Sequence, residues 1–263
     1  MQALADRLKF EPRLKGLDDG HALCGPIEIK GAKPGMTLEV NIDKIVPGEY
    51  GWTATGGWES EINKRLGVAE DGTLLVWTLD AEKMVGRDQF GHEVALRPFM
   101  GVMGMPTNEP GILPTAPPRV TGGNIDCKEL VAGTTLYLPI AVEGGIFSVG
   151  DGHGLQADGE VSGTAIECPM EVVDLTFRLH EELRIETPRA HTPEGWITFG
   201  FDEDLDEATM IALEAMLRLI EEKHGIKRPA SLGLASLLVD MRITQIVNGV
   251  RGVHAVLPHG AIP

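Results

Sequence analysis

Between residues 171 and 179 the chain alternates without a break. Val173, Leu175, Phe177 and Leu179 fall on one set of positions, Val172, Asp174, Thr176 and Arg178 on the other. Successive side chains on a strand point to opposite faces, so this spacing gathers one apolar row and one mostly polar row. The segment is read as a half-buried strand with one wet face. The same period marks residues 26–46, where Ile27 and Ile29, then Met36, Leu38, Val40 and Ile42, take alternate places. Pro34-Gly35 and Pro47-Gly48 close those runs as turns. Further strands are predicted over residues 74–77, 94–96, 134–142, 146–149 and 160–166, with residues 51–57 as a loop. A chain built this way must pair its strands into sheets.

The period changes after Phe201. Leu205, Ala208, Ala212, Met216, Leu219 and Ile220 recur at steps of three and four. Asp204 and Asp206 load the first turn and Gly225 follows Lys223-His224, which marks an amphipathic helix with both ends specified. A second helix is expected at about residues 230–240, then short strands at 243–247 and 253–257. The fold class is mainly-β α+β: a β-rich body over residues 1–200 carrying the site loops, and a helix-containing C-terminal subdomain over 201–263 packed on it.

Composition supports this and excludes some functions. With 263 residues the chain can bury a large core, and Gly 33 with Pro 17 suits a turn-rich β protein. A net charge of -16 disfavours nucleic acid and anionic membranes as partners, because both would repel it. No apolar run reaches the roughly 18 residues of a membrane span. Residues 1–20 hold Asp6, Arg7, Lys9 and Glu11 without an apolar core, so no signal peptide is expected there. The cysteines, Cys24, Cys127 and Cys168, are odd in number and form no CxxC, which fits reduced thiols in a cytoplasm.

One segment is poor at packing a core and rich in chemistry. Gly150-Asp151-Gly152-His153-Gly154-Leu155-Gln156-Ala157-Asp158-Gly159-Glu160 is read as a loop between two strands. Gly-Asp pairs are ordinary turn residues, but His153 and Gln156 are not needed for a turn. Gly122-Gly123-Asn124-Ile125-Asp126 repeats the pattern upstream, a glycine turn followed by a carboxylate. Two such loops in one β-rich chain point to one composite site that aims oxygen and nitrogen at a cation or a small polar substrate. Residues 101–123, with Pro106, Pro110, Pro114, Pro117 and Pro118, are either a linker or a rigid wall of that site.

Four segments in order carry a resemblance to a known family. The first is residues 21–35, from His21 through Cys24-Gly25-Pro26 to Lys33-Pro34-Gly35. The second is Pro98-Phe99-Met100-Gly101-Val102-Met103-Gly104-Met105-Pro106. The third is Gly122-Gly123-Asn124-Ile125-Asp126, continuing to Leu138-Pro139. The fourth is the loop from Gly150 to Glu160 with Thr164-Ala165-Ile166-Glu167-Cys168. The chain resembles the acetamidase/formamidase family of metal-dependent amide hydrolases. It differs at Ala157, where glycine is usual, and has no counterpart to the family's longer N-terminal portion. The resemblance implies a β-sandwich or jelly-roll, barrel-like body with a small α/β subdomain, a homo-oligomer, and hydrolysis of a short-chain amide of the acetamide or formamide type.

An unactivated amide is a poor electrophile. Its hydrolysis needs a strong nucleophile, a stabilised oxyanion and a proton for ammonia; a divalent metal supplies the first two and a carboxylate or His the third. The candidate metal ligands are Asp126, His153 and Glu160, with His21 as a fourth. Mixed nitrogen and oxygen donors favour zinc, at about 2.0–2.2 Å per bond; calcium, which prefers oxygens, is the alternative. Glu160 is either ligand or general base. Asp151 and Asp158 shape the loop or accept the far N–H of a ligating imidazole, and Gln156 hydrogen-bonds the substrate amide. The residues expected to serve the chemistry are thus Glu160, Asp151 and Gln156. Glu167, seven residues beyond Glu160 along an expected strand, is read as facing away unless a bulge at Gly163 changes the phase. Cys127-Lys128-Glu129 holds the residue types of a thiol amidase, but neighbours on a strand face opposite sides and cannot assemble a triad alone. The competing reading is a non-catalytic β-sandwich module that binds a cation or a small polar ligand.

Overall fold

The computed structural model describes residues 20–263. The expectation about a signal peptide falls, Gly20 apart, on residues outside that range. Strands take 41% of the chain and helices 15%, so the class is mainly-β α+β as the periodicity predicts.

Three antiparallel sheets are present among the described residues. The largest has the order β11 (Met170–His180), β2 (Thr37–Pro47), β9 (Thr135–Pro139), β12 (Arg189–His191), β13 (Gly195–Asp202), β15 (Arg251–Pro258) and β14 (Asp240–Gln245). A four-stranded sheet runs β1 (Leu23–Ile27), β10 (Phe147–His153), β7 (Phe99–Gly104) and β8 (Gly122–Asn124). The third is β3 (Tyr50–Gly56), β4 (Gly72–Asp80), β5 (Val85–Asp88) and β6 (Glu93–Ala95). All three are open, and none closes into a barrel.

Alternation decides which face is buried. Leu38, Val40 and Ile42 of β2, Leu136 and Leu138 of β9, and Ile197 and Phe199 of β13 form one apolar cluster with Met103, Phe147 and Val149 of the four-stranded sheet. The two sheets therefore pack as a sandwich around the largest core. The other face of β13 and β15 receives helix α2 (Leu205–His224) and helix α3 (Arg228–Leu238), preceded in the chain by the short α1 (Glu61–Leu66). Gly200 lets α2 lie against β13, since a Cβ there would stand 2.0 Å from Ala208 O. Asp204 caps α2 by accepting from the Asp206 and Glu207 amides, and Gly225 ends it at φ 66°. Such a cap stabilises by about 1 kcal/mol, whereas burying each of Met216, Leu219 and Ile220 is worth roughly 1.5–3 kcal/mol. Packing therefore outweighs capping in holding α2.

Strands β14 and β15 hydrogen-bond into the same sheet as β13, so that sheet runs unbroken across residue 201. Two local expectations change. Residues 51–57 lie mostly in β3, paired with β4 from Tyr50 to Gly56, instead of forming a loop. Residues 160–166 form turns and not a strand.

Candidate active site

The site sits where β10, β7 and the segment after β8 run side by side. Strand β10 continues past Val149 to His153, so the first part of the glycine-rich stretch is strand and not loop. The reason lies in the glycines. A Cβ on Gly150 would stand 2.4 Å from Ala22 O, and one on Gly152 2.6 Å from Cys168 O. Glycine here admits neighbouring backbones, a recognised use of glycine within a strand. Asp151 and His153, two residues apart on a strand, then share a face. Opposite them on β7 is Gly101, whose carbonyl accepts from the Asp126 amide at 3.2 Å.

His153 is the hub. Its Nε2 lies 3.2 Å from Asp151 Oδ2 and 3.3 Å from Glu167 Oε2, and its Nδ1 lies 4.0 Å from Asp126 Oδ1. Two donor groups result, Asp126–His153–Glu160 on the inner side and Asp151–His153–Glu167 on the outer. The inner carboxylates are buried, while Asp151 and Glu167 are partly open to solvent. Phe99 packs edge-on against the His153 ring, with centroids 5.0 Å apart.

The remaining expected residues divide. Gln156 Nε2 donates to the Asp126 carbonyl at 2.7 Å, so the side chain props up a ligand candidate and keeps Oε1 without a partner. His21 is held by Thr115, Nδ1 to Oγ1 at 2.8 Å, and reaches the cluster only through Asp151, 3.9 Å from its Nε2. His21 therefore belongs to neither donor group. The Thr115 contact ties the proline-rich segment between β7 and β8 to the site as a wall. Asp158 faces outward from the cluster and pairs with Lys128 at 2.8 Å.

Two participants escape the sequence reading. Counting along a strand puts Glu167 on the far face, but the intervening residues turn. Its backbone pairs with His153 on one side and Trp52 on the other, and its carboxylate enters the site. Asn248, in the turn between β14 and β15, donates Nδ2 to Asp126 Oδ2 at 2.7 Å. Its Asn-Gly sequence signals a tight turn and nothing more.

Electrostatics follow from burial. Burial, then the neighbouring Asp151 charge, push the Asp126 carboxyl up to about 7 despite the opposing pull of His153. Burial and the adjacent Asp126 push Glu160 up to about 10. Burial also works against ionised Asp151, but the hydrogen bond and charge of His153, with His21, bring it below the usual carboxylate range. Burial opposes a charged His153, yet Glu167 and Asp151 raise it well above the ordinary imidazole value. Without a cation burial thus favours the protonated form of the inner carboxylates, Glu160 most. A bound divalent cation reverses that preference.

The donor set fits such a cation. Asp126 Oδ1, His153 Nδ1, Gln156 Oε1 and Glu160 Oε2 are all buried without a hydrogen-bond partner. Buried polar atoms are ordinarily paired, so orphans concentrated in one place call for a ligand. A Cβ on Gly101 would stand 2.6 Å from Asp151 Oδ2 and 2.7 Å from Asp126 Oδ1, so only glycine lets the β7 backbone lie this close to the two carboxylates. Asp126, Asp151 and Glu160 adopt φ of 52°, 59° and 44°, three of the five positive-φ non-glycine residues among those described. Such conformations cost of order 1–3 kcal/mol each and cluster at functional sites.

Comparison with known proteins places the chain in a family. The chain is 28% identical over 202 residues to an acetamidase of Mycolicibacterium smegmatis, covering 54% of this chain and 49% of that protein. It is 48% identical over 48 residues to a formamidase of Methylophilus methylotrophus, covering 18% of this chain and 12% of that one. It thus spans about half the length or less of these relatives. Among solved structures, a predicted acetamidase/formamidase from Thermoanaerobacter tengcongensis superposes with a TM-score of 0.81 at 28% identity, covering 95% of this chain and 82% of that one. An acetamidase from Bacillus halodurans gives a TM-score of 0.80 at 26% identity, covering 89% and 77%. The sequence model of the Acetamidase/Formamidase family matches residues 13–110 and 109–259, and the chain belongs to that family.

Proposed function

We propose that this chain hydrolyses a short-chain aliphatic amide, of the acetamide or formamide type, to carboxylate and ammonia at the His153 site. The observation that carries the reading is the convergence of unpartnered buried atoms from Asp126, His153, Gln156 and Glu160 beside Asp151. Asp126, His153 and Glu160 would hold a divalent cation, zinc by preference for their mixed donors, with calcium as the alternative. When bound, that cation supplies Lewis-acid activation of the amide carbonyl and of water.

The chain's own residues do the rest. Asp151 and Glu167 face His153 Nε2 and orient the ring by taking its far N–H, the usual support for a ligating imidazole. Asp151, partly exposed and set between His153 and His21, is placed to take a proton at its carboxylate and return it to the departing nitrogen. Gln156 Oε1 is available to accept a substrate N–H. Gly101 keeps a side chain out of the reacting space. The same reading extends to a reducing cytoplasm, which an odd number of cysteines without a CxxC fits, and to a homo-oligomer, which the family resemblance implies. No helix among the described residues is long and apolar enough to cross a membrane.

The alternative, a non-catalytic module that binds a cation, draws on the burial of all three inner donors, since closed sites are typical of structural metals. Ammonia release from formamide and acetamide, measured on zinc-loaded and chelator-treated protein, separates the two. Turnover that chelation abolishes and zinc restores is expected. Stoichiometric metal without turnover on either amide favours the binding module, and turnover indifferent to metal removal overturns the metal role.

A further inference from the structure

The sandwich interior holds a second donor cluster that the reaction leaves unused. Cys127, Glu129 and His254 bring a thiol, a carboxylate oxygen and an imidazole nitrogen within 4.8 Å of one another. Their relative exposures are 0%, 1% and 0%, so solvent satisfies none of them. Cys127 Sγ donates to Glu129 Oε2 at 3.2 Å, and His254 Nε2 lies 3.4 Å from that same oxygen. His254 Nδ1 is held by Thr244 Oγ1 at 2.8 Å, while Nε2 is buried with no hydrogen-bond partner. The ring is thus clamped from behind with an unsatisfied nitrogen aimed into the cluster. The other Glu129 oxygen is taken by Arg242 Nη1 at 3.0 Å, which orients the carboxylate. Alternation explains the aim of His254: it shares the sandwich-facing side of β15 with Val256, opposite Val253, Ala255 and Leu257 under the helices.

We propose that Cys127 Sγ, Glu129 Oε2 and His254 Nε2 form a second divalent-cation site, of the zinc class and separate from the one at His153. The unpartnered Nε2 supplies the observation that a plain hydrogen-bonded knot leaves unexplained, since a buried polar atom without a partner is costly. A thiolate, an imidazole and a carboxylate together match zinc, whereas calcium takes oxygen ligands. Binding is balanced by one proton: the Cys127 S–H bond breaks, the sulfur–metal bond forms, and the proton leaves to solvent. In the metal-free protein burial, then the Glu129 charge, push the thiol well up, so it is protonated there. Because Cys127 follows Asp126 directly, an ion at this place would clamp the turn bearing Asp126 to β15. The inference does not depend on the amidase reading.

Cobalt tests it by a signal that the His153 site, built of oxygen and nitrogen, cannot give. The full chain, freed of metal and carrying Cys24→Ser with Cys168→Ala, keeps Cys127 as its single thiol out of 3. Titrated with Co²⁺, it should bind about two equivalents and show a near-ultraviolet thiolate-to-cobalt absorption that zinc displaces. The absorption should vanish in Cys127→Ser and in His254→Gln and survive in His153→Ala, which loses the other equivalent. If the single-thiol background does not fold, the same absorption in the otherwise natural chain, lost in His254→Gln, decides. No such absorption at saturating cobalt, or one indifferent to His254→Gln, overturns the proposal.

Discussion

At Gly101 the backbone of β7 passes the site with no side chain between. A methyl there would stand 2.6 Å from Asp151 Oδ2, 2.7 Å from Asp126 Oδ1 and 2.9 Å from His153 Cε1. Gly101→Ala should therefore displace the donors and lower turnover by about 10²-fold, the scale of a ~1 Å misplacement at a reacting centre. The thermal midpoint should fall as well, as overpacking costs about 1–3 kcal/mol, so turnover is compared below the midpoint; a fully active Gly101→Ala enzyme would show that the donors need not hold these positions. Asn248 makes a second case. It donates to Asp126 Oδ2, and Asn248→Ala leaves that oxygen short of its donor. Removal of such an outer partner typically costs 10–100-fold in metal affinity. Competitive zinc titration against a chelating dye measures it. The sequence made Asp126, His153 and Glu160 legible because glycine turns beside carboxylates are chemically conspicuous. It hid Glu167 and Asn248 because their roles come from chain reversals that no local period records.

Elements with a clean period were legible and those shaped by neighbours were not. The alternation in β11 and the steps of three and four in α2 report one buried face each, and both appear with the expected ends. Strand β10 is longer than its sequence suggests, because its glycines resemble a loop when their use is to admit the backbones at Ala22 and Cys168. That distinction gives a prediction about coupling. Gly152→Ala would press on Cys168 O and on Met170, loosening the bridge that carries Glu167 to His153. Overpacking of this kind costs about 1–3 kcal/mol, so the urea midpoint should fall and turnover with it. Asp204→Ala is the contrast. It removes the cap of α2, on the face of the sheet opposite the sandwich core, and should cost about 1 kcal/mol with turnover unchanged. Equal loss of activity in both variants would mean that stability alone, and not the Glu167 bridge, governs the rate.

At the scale of the whole molecule, the site is a local liability that a cation would turn into support. In the metal-free protein the Asp126 carboxyl is raised to about 7 and that of Glu160 to about 10, by burial first and by neighbouring carboxylates second. The unfolded chain releases these protons near the ordinary carboxylate values of about 4. Between those limits the folded state holds more protons than the unfolded one, so stability falls as pH rises. The contribution of Asp126 is fully present below about 4 and is lost as pH climbs through about 7; that of Glu160 goes on falling towards about 10. Zinc, by contrast, needs both carboxylates ionised, so its binding competes with protons and strengthens over the same range. The thermal midpoint of chelator-treated protein should therefore drop between pH 5 and pH 8 by this linkage, while the gap between zinc-loaded and zinc-free protein widens. His153, raised well above its usual value by Glu167 and Asp151 against burial, adds a decline of the same sign. In Asp126→Asn the metal-free decline should be shallower and the widening reduced. Parallel midpoints for loaded and stripped protein across the series would mean that the inner carboxylates are not where the ion binds.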